Sequence, residues 1–156
     1  MAGDATVPGR RRASYDVTAV SAAPAETVFR LLADGAGWSR WAGPMVVRSW
    51  WEREGDPAPG GIGAIRRLGL GAASSREEIV AYDPPHHLAY VWLTKVPVRD
   101  YRADVRLAPD DGGTRITWSG EFTPAFPGGG ALMRRFFVRT VGAFARRLAR
   151  EAERAA

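Results

Sequence analysis

A regular pattern of apolar positions extends over residues 130–154, near the end of the chain. Apolar residues recur there at steps of three or four, which is the spacing of one side of an α-helix. They are Met133, Phe137, Val141, Phe144, Leu148 and Ala152. Glycines 128–130 precede the segment, no proline interrupts it, and arginines occupy the opposite side. The pattern predicts one long helix from Gly130 to Arg154, and its apolar side requires a broad apolar partner.

The preceding part of the chain predicts that partner as a series of short strands. Alternating apolar and polar residues, bounded by turn residues, mark seven segments. The predicted strands are Ser14–Ala22, Val46–Arg53, Ala64–Leu68, Arg76–Tyr82, His87–Lys95, Val98–Leu107 and Thr114–Thr123. Two short helices are predicted after the first strand, one opening at Pro24 and ending at Gly35, the other over Ala36–Trp41. The connections are too short for parallel crossovers, so the strands are expected to form an antiparallel meander.

Alternation along the sixth predicted strand indicates which of its faces points inward. Tyr101 and Ala103 share one face with further apolar residues, and the opposite face is charged, so the apolar face is the inner one. If Val96-Pro97 is a two-residue hairpin turn, Tyr90 lies opposite Ala103 and Trp92 lies opposite Tyr101. Tyr90 and Trp92 are then inner residues as well.

The next hairpin places a carboxylate beside these rings. A two-residue turn at Pro84-Pro85 pairs Asp83 with His86, and it sets Glu77 opposite Trp92. Glu77 then points inward. A three-residue turn would reverse the assignment.

The predicted inner face combines bulky aromatic residues with small ones. The aromatic residues are Tyr90, Trp92, Tyr101 and Trp118, and the small residues are Ala81, Ala103 and Gly120. A core packed for stability alone favours Leu, Ile and Val, whereas rings with a hydroxyl or N–H group suit the wall of a pocket. We therefore predict a ligand pocket on this face, with an aromatic core that lacks a cavity as the alternative.

Composition limits the chemistry. The 156 residues are expected to form one domain over residues 14–156, preceded by a disordered basic tail over residues 1–13. Cysteine is absent, which excludes disulfides and thiolate chemistry. The two histidines, His86 and His87, are adjacent and would point to opposite faces of a strand, so no metal site is expected. No apolar run approaches the about 18 residues of a membrane span, and Arg10–Arg12 is not followed by the apolar segment of an export signal, so a cytoplasmic protein is expected.

The chain is basic, with a net charge of +5 and a pI near 10.4. Since Lys95 is its one lysine, a GC-rich coding sequence that favours arginine is one explanation. The alternative is an anionic surface bound by the outer face of the last helix through Arg139, Arg146 and Arg150. Aromatic residues are not interleaved with the arginines as in a base-stacking platform, so no nucleic-acid partner is expected.

Several segments, taken together, resemble one known group of proteins. They are Ala23–Phe29, Leu32–Asp34, Trp38, Trp41, Gly63–Arg66, Tyr82–Pro85, Leu88–Tyr90 and Gly113–Trp118. From Ser14 to Glu153 the chain resembles the START/pollen-allergen-like (SRPBCC) superfamily, and within it the polyketide cyclase/dehydrase-like proteins. The resemblance implies an α+β helix-grip fold, in which a curved seven-stranded antiparallel sheet wraps around the long C-terminal helix and leaves a cavity between them. It also implies that Trp38 and Trp41 lie near the cavity mouth, with the 55–63 loop as a lid.

These arguments lead to a functional hypothesis with an alternative. The protein is expected to bind a small hydrophobic molecule, aromatic-polyketide-like or lipid-like, as a monomer or homodimer and without a cofactor. The expected ligand-binding residues are Trp41, Arg66, Tyr90, Trp92, Tyr101, Trp118, Met133, Phe137 and Phe144. The alternative is a cofactor-independent cyclase or dehydratase in the same cavity, with Glu77 and Tyr101 as candidate catalytic residues. An inward Glu77 would pair with Arg66, the best candidate cation, or either residue would anchor a polar group of the ligand, and desolvation would make Glu77 a proton donor. The alternative is that both side chains point to solvent.

Overall fold

The computed structural model describes residues 11–70, 73–94 and 97–156. The strands are β1 (Ala13–Ser21), β2 (Arg48–Arg53), β3 (Ile65–Leu70), β4 (Ala73–Asp83), β5 (His87–Trp92), β6 (Val98–Asp110) and β7 (Gly113–Pro124). The helices are α1 (Ala25–Ala33), a 3₁₀ helix (Gly35–Arg40) and α2 (Gly130–Ala155). Most of the predicted tail lies outside the described residues, as do Lys95, the predicted end of the fifth strand, and Val96 of the predicted turn. The fifth strand ends at Trp92, before Leu93 and Thr94, which the prediction included.

The seven strands form one antiparallel sheet with the order β1-β7-β6-β5-β4-β3-β2. Strands β2 to β7 follow one another as a meander, and β1 pairs with β7, so that Tyr15 lies opposite Gly120. The sheet curves around α2, which lies against its inner face. The prediction of a helix-grip fold with a seven-stranded antiparallel sheet is confirmed.

Aromatic packing holds α2 against the sheet. The ring of Phe137, on the apolar side of α2, lies 5.5 Å from the ring of Tyr15, 4.9 Å from that of Tyr101 and 5.1 Å from that of Phe122. Phe137 is 2% exposed, and burial of such a side chain stabilises a fold by about 1.5–3 kcal/mol. The predicted apolar stripe therefore faces the predicted inner face.

The turn between β4 and β5 differs from the prediction. Asp83 pairs with His87, not with His86, so the turn contains three residues and the predicted two-residue turn is wrong. A β-bulge at Val80, between the paired residues on either side of it, adds one further residue to β4. The two irregularities cancel, and Glu77 still lies opposite Trp92. Beyond the bulge the faces of β4 are exchanged, so Tyr82 packs against the core in place of the predicted Ala81.

The outer face of the sheet is held by charged side chains. Asp104 accepts hydrogen bonds from Arg102 Nε at 3.1 Å and from His87 Nε2 at 2.7 Å. Burial alone would raise the pKa of Asp104, but the hydrogen bonds from Arg102 and His87 outweigh it and lower that pKa below its ordinary value. The ionised form of Asp104 is thus the one that the folded sheet stabilises.

Candidate ligand cavity

A cavity of about 160 Å³ lies between α2 and the central strands of the sheet. Helix α2 contributes Phe137, Val141 and Phe144, and the sheet contributes Tyr90, Trp92 and Tyr101, so most of its wall is apolar or aromatic. The loop before β2 and the exposed edge of α2 form its rim through Met45 and Phe136, which are 47% and 40% exposed. The cavity thus communicates with solvent between these two partly exposed apolar side chains.

A buried ion pair lies at the sheet wall of the cavity. Arg66 Nε donates to Glu77 Oε2 at 2.8 Å, and the two side chains are 0% and 6% exposed. Arg66 Nη1 donates to the Leu32 carbonyl at 3.2 Å, and its guanidinium lies over the rings of Trp38 and Tyr90 at 4.4 and 4.7 Å. Within the described part of the chain, Arg66 Nη2 has no hydrogen-bond partner. The guanidinium is therefore fixed by one carboxylate, one carbonyl and two aromatic faces.

Glu77 is a hydrogen-bond acceptor throughout. Besides the Arg66 contact, its Oε1 accepts from Trp92 Nε1 at 3.1 Å and from Ser75 Oγ at 3.4 Å. The Glu77 side chain thus receives three donors, one of them a guanidinium, and hydrogen bonds of that kind are the strong ones. The interpretation of Glu77 as one member of a pair with Arg66 agrees with the structure, and its use as a proton donor stays a prediction.

The tyrosines of the inner face are held in their neutral form. The hydroxyl groups of Tyr15 and Tyr101 are hydrogen bonded to each other, and Trp118 Nε1 donates to the Tyr90 hydroxyl at 3.2 Å. Burial, together with nearby phenol and carboxylate groups, raises the pKa of Tyr15, Tyr90 and Tyr101 well above the ordinary value. The hydroxyls of Tyr90 and Tyr101, which border the cavity, can donate hydrogen bonds to a ligand, but they are poor sources of phenolate.

The structure separates the expected ligand-binding residues into two groups. Those in the cavity wall are Tyr90, Trp92, Tyr101, Phe137 and Phe144, with the candidate Glu77 beside them. Those outside it are Trp41, Arg66, Trp118 and Met133. Trp118 is fully buried behind Tyr90, with the two ring centroids 6.5 Å apart, and Arg66 is enclosed between two rings. Both are therefore screened from the cavity by the side chains in front of them.

Trp41 and the 55–63 loop also differ from expectation. The Trp41 ring packs on Trp38 at 4.7 Å and faces a separate surface pocket, and Trp38 is 1% exposed. Pro59 and Gly60 of the loop line a different groove, together with Phe29 of α1 and Tyr82 of β4. Neither tryptophan is at the cavity mouth, and the loop is not its lid, because the cavity opens at the β3–β4 end of the sheet.

Several residues of the cavity wall are not indicated by the sequence patterns. Met45 and Val46 belong to a loop that precedes β2, although the pattern predicts a strand from Val46, and no local signal marks them as a rim. Periodicity predicts Thr140 at the edge of the apolar side of α2, but it does not distinguish Ser75 from a surface residue. Tyr15 is not in the wall but is hydrogen bonded to Tyr101, which is. Alternation along β1 predicts only an apolar position for Tyr15, because its partner is 86 residues away in the chain.

No helix in the described part of the chain is long and apolar enough to cross a membrane. Over the same residues, no three His, Asp or Glu side chains come together in a way that would hold a metal ion.

A curved antiparallel sheet that grips a C-terminal helix, with an apolar cavity between them, defines the helix-grip class of START and Bet v 1-like proteins. Within that class, the chain belongs to the family described as polyketide cyclase/dehydrase and lipid transport, whose sequence profile matches residues 12–153. The resemblance inferred from the sequence is confirmed. The description of the family covers both cyclase or dehydrase enzymes and lipid-transport proteins.

The individual relatives add little information about the function of the family. Uncharacterized proteins of Mycobacterium bovis and Mycobacterium tuberculosis are 29% identical over 97 residues, which is 60% of this chain and 56% of theirs. The chain thus spans little more than half the length of the curated relatives it matches.

Solved structures agree on the fold. A START superfamily protein from Mycobacterium smegmatis matches with a TM-score of 0.74 at 16% identity, over 95% of this chain and 100% of that one. The Zhui aromatase/cyclase from a Streptomyces species matches with a TM-score of 0.73 at 23% identity, over 92% and 95%. A protein from Thermobifida fusca matches with a TM-score of 0.69 at 28% identity, over 90% and 91%.

Proposed function

We propose that this protein binds one small apolar molecule, with an aromatic or similarly flat part, in the cavity between α2 and the sheet. The observation that carries the proposal is the composition of the wall, in which aromatic rings enclose the space and one buried carboxylate, Glu77, borders it. Ligand sites typically combine an apolar lining with a small number of fixed polar groups. A core packed only for stability does not need a charged group of this kind at a void.

Cavity volume limits the part of the ligand that is enclosed. An apolar cavity of roughly 150 Å³ is enough for a benzene-sized molecule, and drug-sized ligands need about 300–1,000 Å³. The 160 Å³ found in this protein therefore accommodates about one ring without rearrangement. A longer polyketide-like or lipid-like molecule would extend through the rim, where displacement of Met45 and Phe136 would make room for it.

Polar groups at the wall favour a ligand with a hydrogen-bond donor. Glu77 has accepting capacity beyond the donors that it already receives, because an ionised carboxylate offers about four lone-pair sites. A phenol or an amine can donate to it, whereas an unsubstituted hydrocarbon leaves this site without a ligand contact. We therefore expect phenol-type ligands to bind more tightly than hydrocarbons of the same size.

Tryptophan fluorescence tests the proposal, since Trp92 lies in the wall with its ring 4.5 Å from that of Tyr101. Phenol, indole and toluene would be titrated, with naphthol as a larger probe, and Trp92→Phe would assign the signal. Thr140→Phe fills the cavity and should abolish binding, whereas Val138→Phe, on the exposed side of the same helix, should not. Absence of any saturable response, or an equal effect of both variants, would overturn the proposal.

Cyclase or dehydratase activity is the second candidate function, and one observation favours it. Glu77 and Tyr101 border the same space, on either side of Trp92, so an acceptor and a neutral hydroxyl face a bound molecule together. Such a pair can orient a flexible polyketone and stabilise an enolate oxygen, with the hydroxyl as donor. The protonated Tyr101, not Glu77, would then be the donor.

A matched pair of variants tests this second candidate. Tyr101→Phe and Tyr15→Phe remove the same hydrogen bond, but only Tyr101 borders the cavity. If the protein turns over a polyketone substrate, Tyr101→Phe should lower kcat by about 100-fold while Tyr15→Phe retains most activity. Equal losses would assign both tyrosines a structural role and reject the catalytic one.

A further inference from the structure

The basic character of this protein is concentrated in one helix. Helix α2 contains seven arginines and two glutamates, an excess of five positive charges, which equals the net charge of the whole chain. Arginine and lysine are balanced by aspartate and glutamate in the remainder. A GC-rich coding sequence would distribute arginine evenly, so this distribution requires another explanation.

Part of that charge converges on a pocket remote from the ligand cavity. The pocket has a volume of about 230 Å³ and is lined by Arg147, Arg150 and Arg154 of α2, by Arg40 at the end of the 3₁₀ helix and by Trp41. Among the residues that the structure describes, Glu151 is the single carboxylate that lines it. Four guanidinium groups and one carboxylate leave about three uncompensated positive charges around one concave space.

Two of the arginines are fixed by the protein and two are not. Arg147 Nη1 donates to the Ala42 carbonyl at 3.0 Å and packs on Gly43, where any Cβ atom would collide with the guanidinium. Arg154 pairs with Glu151 at 3.5 Å. Arg40 and Arg150 form no ion pair within the described residues. The pocket thus contains one preorganised guanidinium beside two that are available to a ligand.

The helix dipole does not account for this arrangement. The C-terminal end of a helix carries a partial negative charge, which favours arginines in its last turns without any ligand. It does not explain Arg40, which comes from a different element and lies more than 100 residues earlier in the chain. Like charges that converge in this way repel one another, and a bound anion removes the repulsion.

We propose that this pocket binds a phosphate group, carried either by a soluble phosphate compound or by the head group of an anionic lipid. Planar guanidinium groups match the oxygen geometry of phosphate with paired hydrogen bonds, and the pocket has room for one or two such groups. The site is independent of the cavity, because buried Trp38 lies between Trp41 and the cavity wall.

Inorganic pyrophosphate and lipid vesicles are the two probes, both at constant ionic strength. Calorimetry would measure the Kd of pyrophosphate, and flotation would measure binding to phosphatidylcholine vesicles with and without phosphatidic acid. The test variant is Arg40→Gln with Arg150→Gln. Its control is Arg135→Gln with Arg139→Gln, which removes the same charge from exposed positions of α2 outside the pocket.

The expected result is binding of at least one probe by the wild-type protein, weakened about tenfold or more in the pocket variant and less than about twofold in the control. Binding of pyrophosphate identifies a soluble phosphate ligand, and binding of phosphatidic acid vesicles alone identifies a lipid head group. Equal weakening in both variants would show only a diffuse basic surface and would overturn the proposal. Absence of binding to both probes would do the same.

Discussion

Replacing Glu77 with glutamine is expected to destabilise the protein strongly, because it leaves the buried guanidinium of Arg66 without its counter-ion. Removal of one partner from a buried ion pair costs about 3–5 kcal/mol. Two features of this site place the expected loss of stability near the lower limit of that range. The Leu32 carbonyl still accepts from Arg66, and the faces of Trp38 and Tyr90 still cover its charge. We therefore expect a loss of about 3 kcal/mol.

A double-mutant cycle separates the ion pair from the rest of the site. Arg66→Met removes the charge and retains much of the volume, and it leaves Glu77 with Trp92 and Ser75 as donors. The combination of Arg66→Met with Glu77→Gln buries no charge at this position. It should be more stable than the sum of the single losses predicts, by at least about 2 kcal/mol.

Urea unfolding followed by far-ultraviolet circular dichroism measures the four free energies without relying on the tryptophans of the site. The reasoning would be refuted if Glu77→Gln cost less than about 1 kcal/mol, or if the two substitutions were additive within about 0.5 kcal/mol. Either result would mean that water in the cavity solvates Arg66. The same measurement decides whether a loss of activity in Glu77→Gln reports on chemistry or on folding.

Three further predictions concern the sheet. Gly120→Ala should lower the free energy of unfolding in urea by about 1–3 kcal/mol, because the added methyl group collides with the Tyr15 ring. The control Gly130→Ala, where a methyl group has room, should lower it by less than about 0.5 kcal/mol. Equal losses of stability in the two variants would contradict this reasoning. Because the pKa of Asp104 is lower in the folded than in the unfolded state, its contribution is present above about pH 4 and is lost as the pH falls through the folded-state pKa. The stability difference between the wild type and Asp104→Asn should therefore shrink at about pH 3, and a constant difference would reject the role of this ion pair. Because the pKa values of Tyr15, Tyr90 and Tyr101 are raised in the folded state, these residues contribute stability that is present below about pH 10 and is lost above it. In an ultraviolet titration, at most one of the four tyrosines should ionise before circular dichroism reports unfolding. Ionisation of two or more tyrosines before unfolding would contradict the burial of these three.

Local patterns were sufficient to predict the elements and their class. The apolar stripe through Phe137 and Val141 predicts α2 because helical periodicity depends only on spacing within one segment. Alternation around Tyr101 likewise predicts the inner face of β6, because successive side chains of a strand point to opposite faces. Short connections then leave an antiparallel sheet as the simplest arrangement.

Strand register was predicted correctly at Glu77 through a compensation that the sequence does not reveal. The three-residue turn after Asp83 alone would have turned Glu77 outward, and the bulge at Val80 restores its direction. Register depends on the sum of turn length and bulges, and several combinations give the same sum. Local residue preferences therefore do not determine it.

The sequence by itself determined the helix, the strands and the aromatic character of the inner face, since each follows from neighbours along the chain. Only the tertiary structure decided that Tyr90 borders the cavity while Trp118 lies behind it, because large side chains on one face compete for the same space. It also decided the cavity volume, which depends on the distance between α2 and the sheet, and it brought Arg40 to Arg150 across more than 100 residues. These features depend on contacts between distant segments, and no local pattern encodes them.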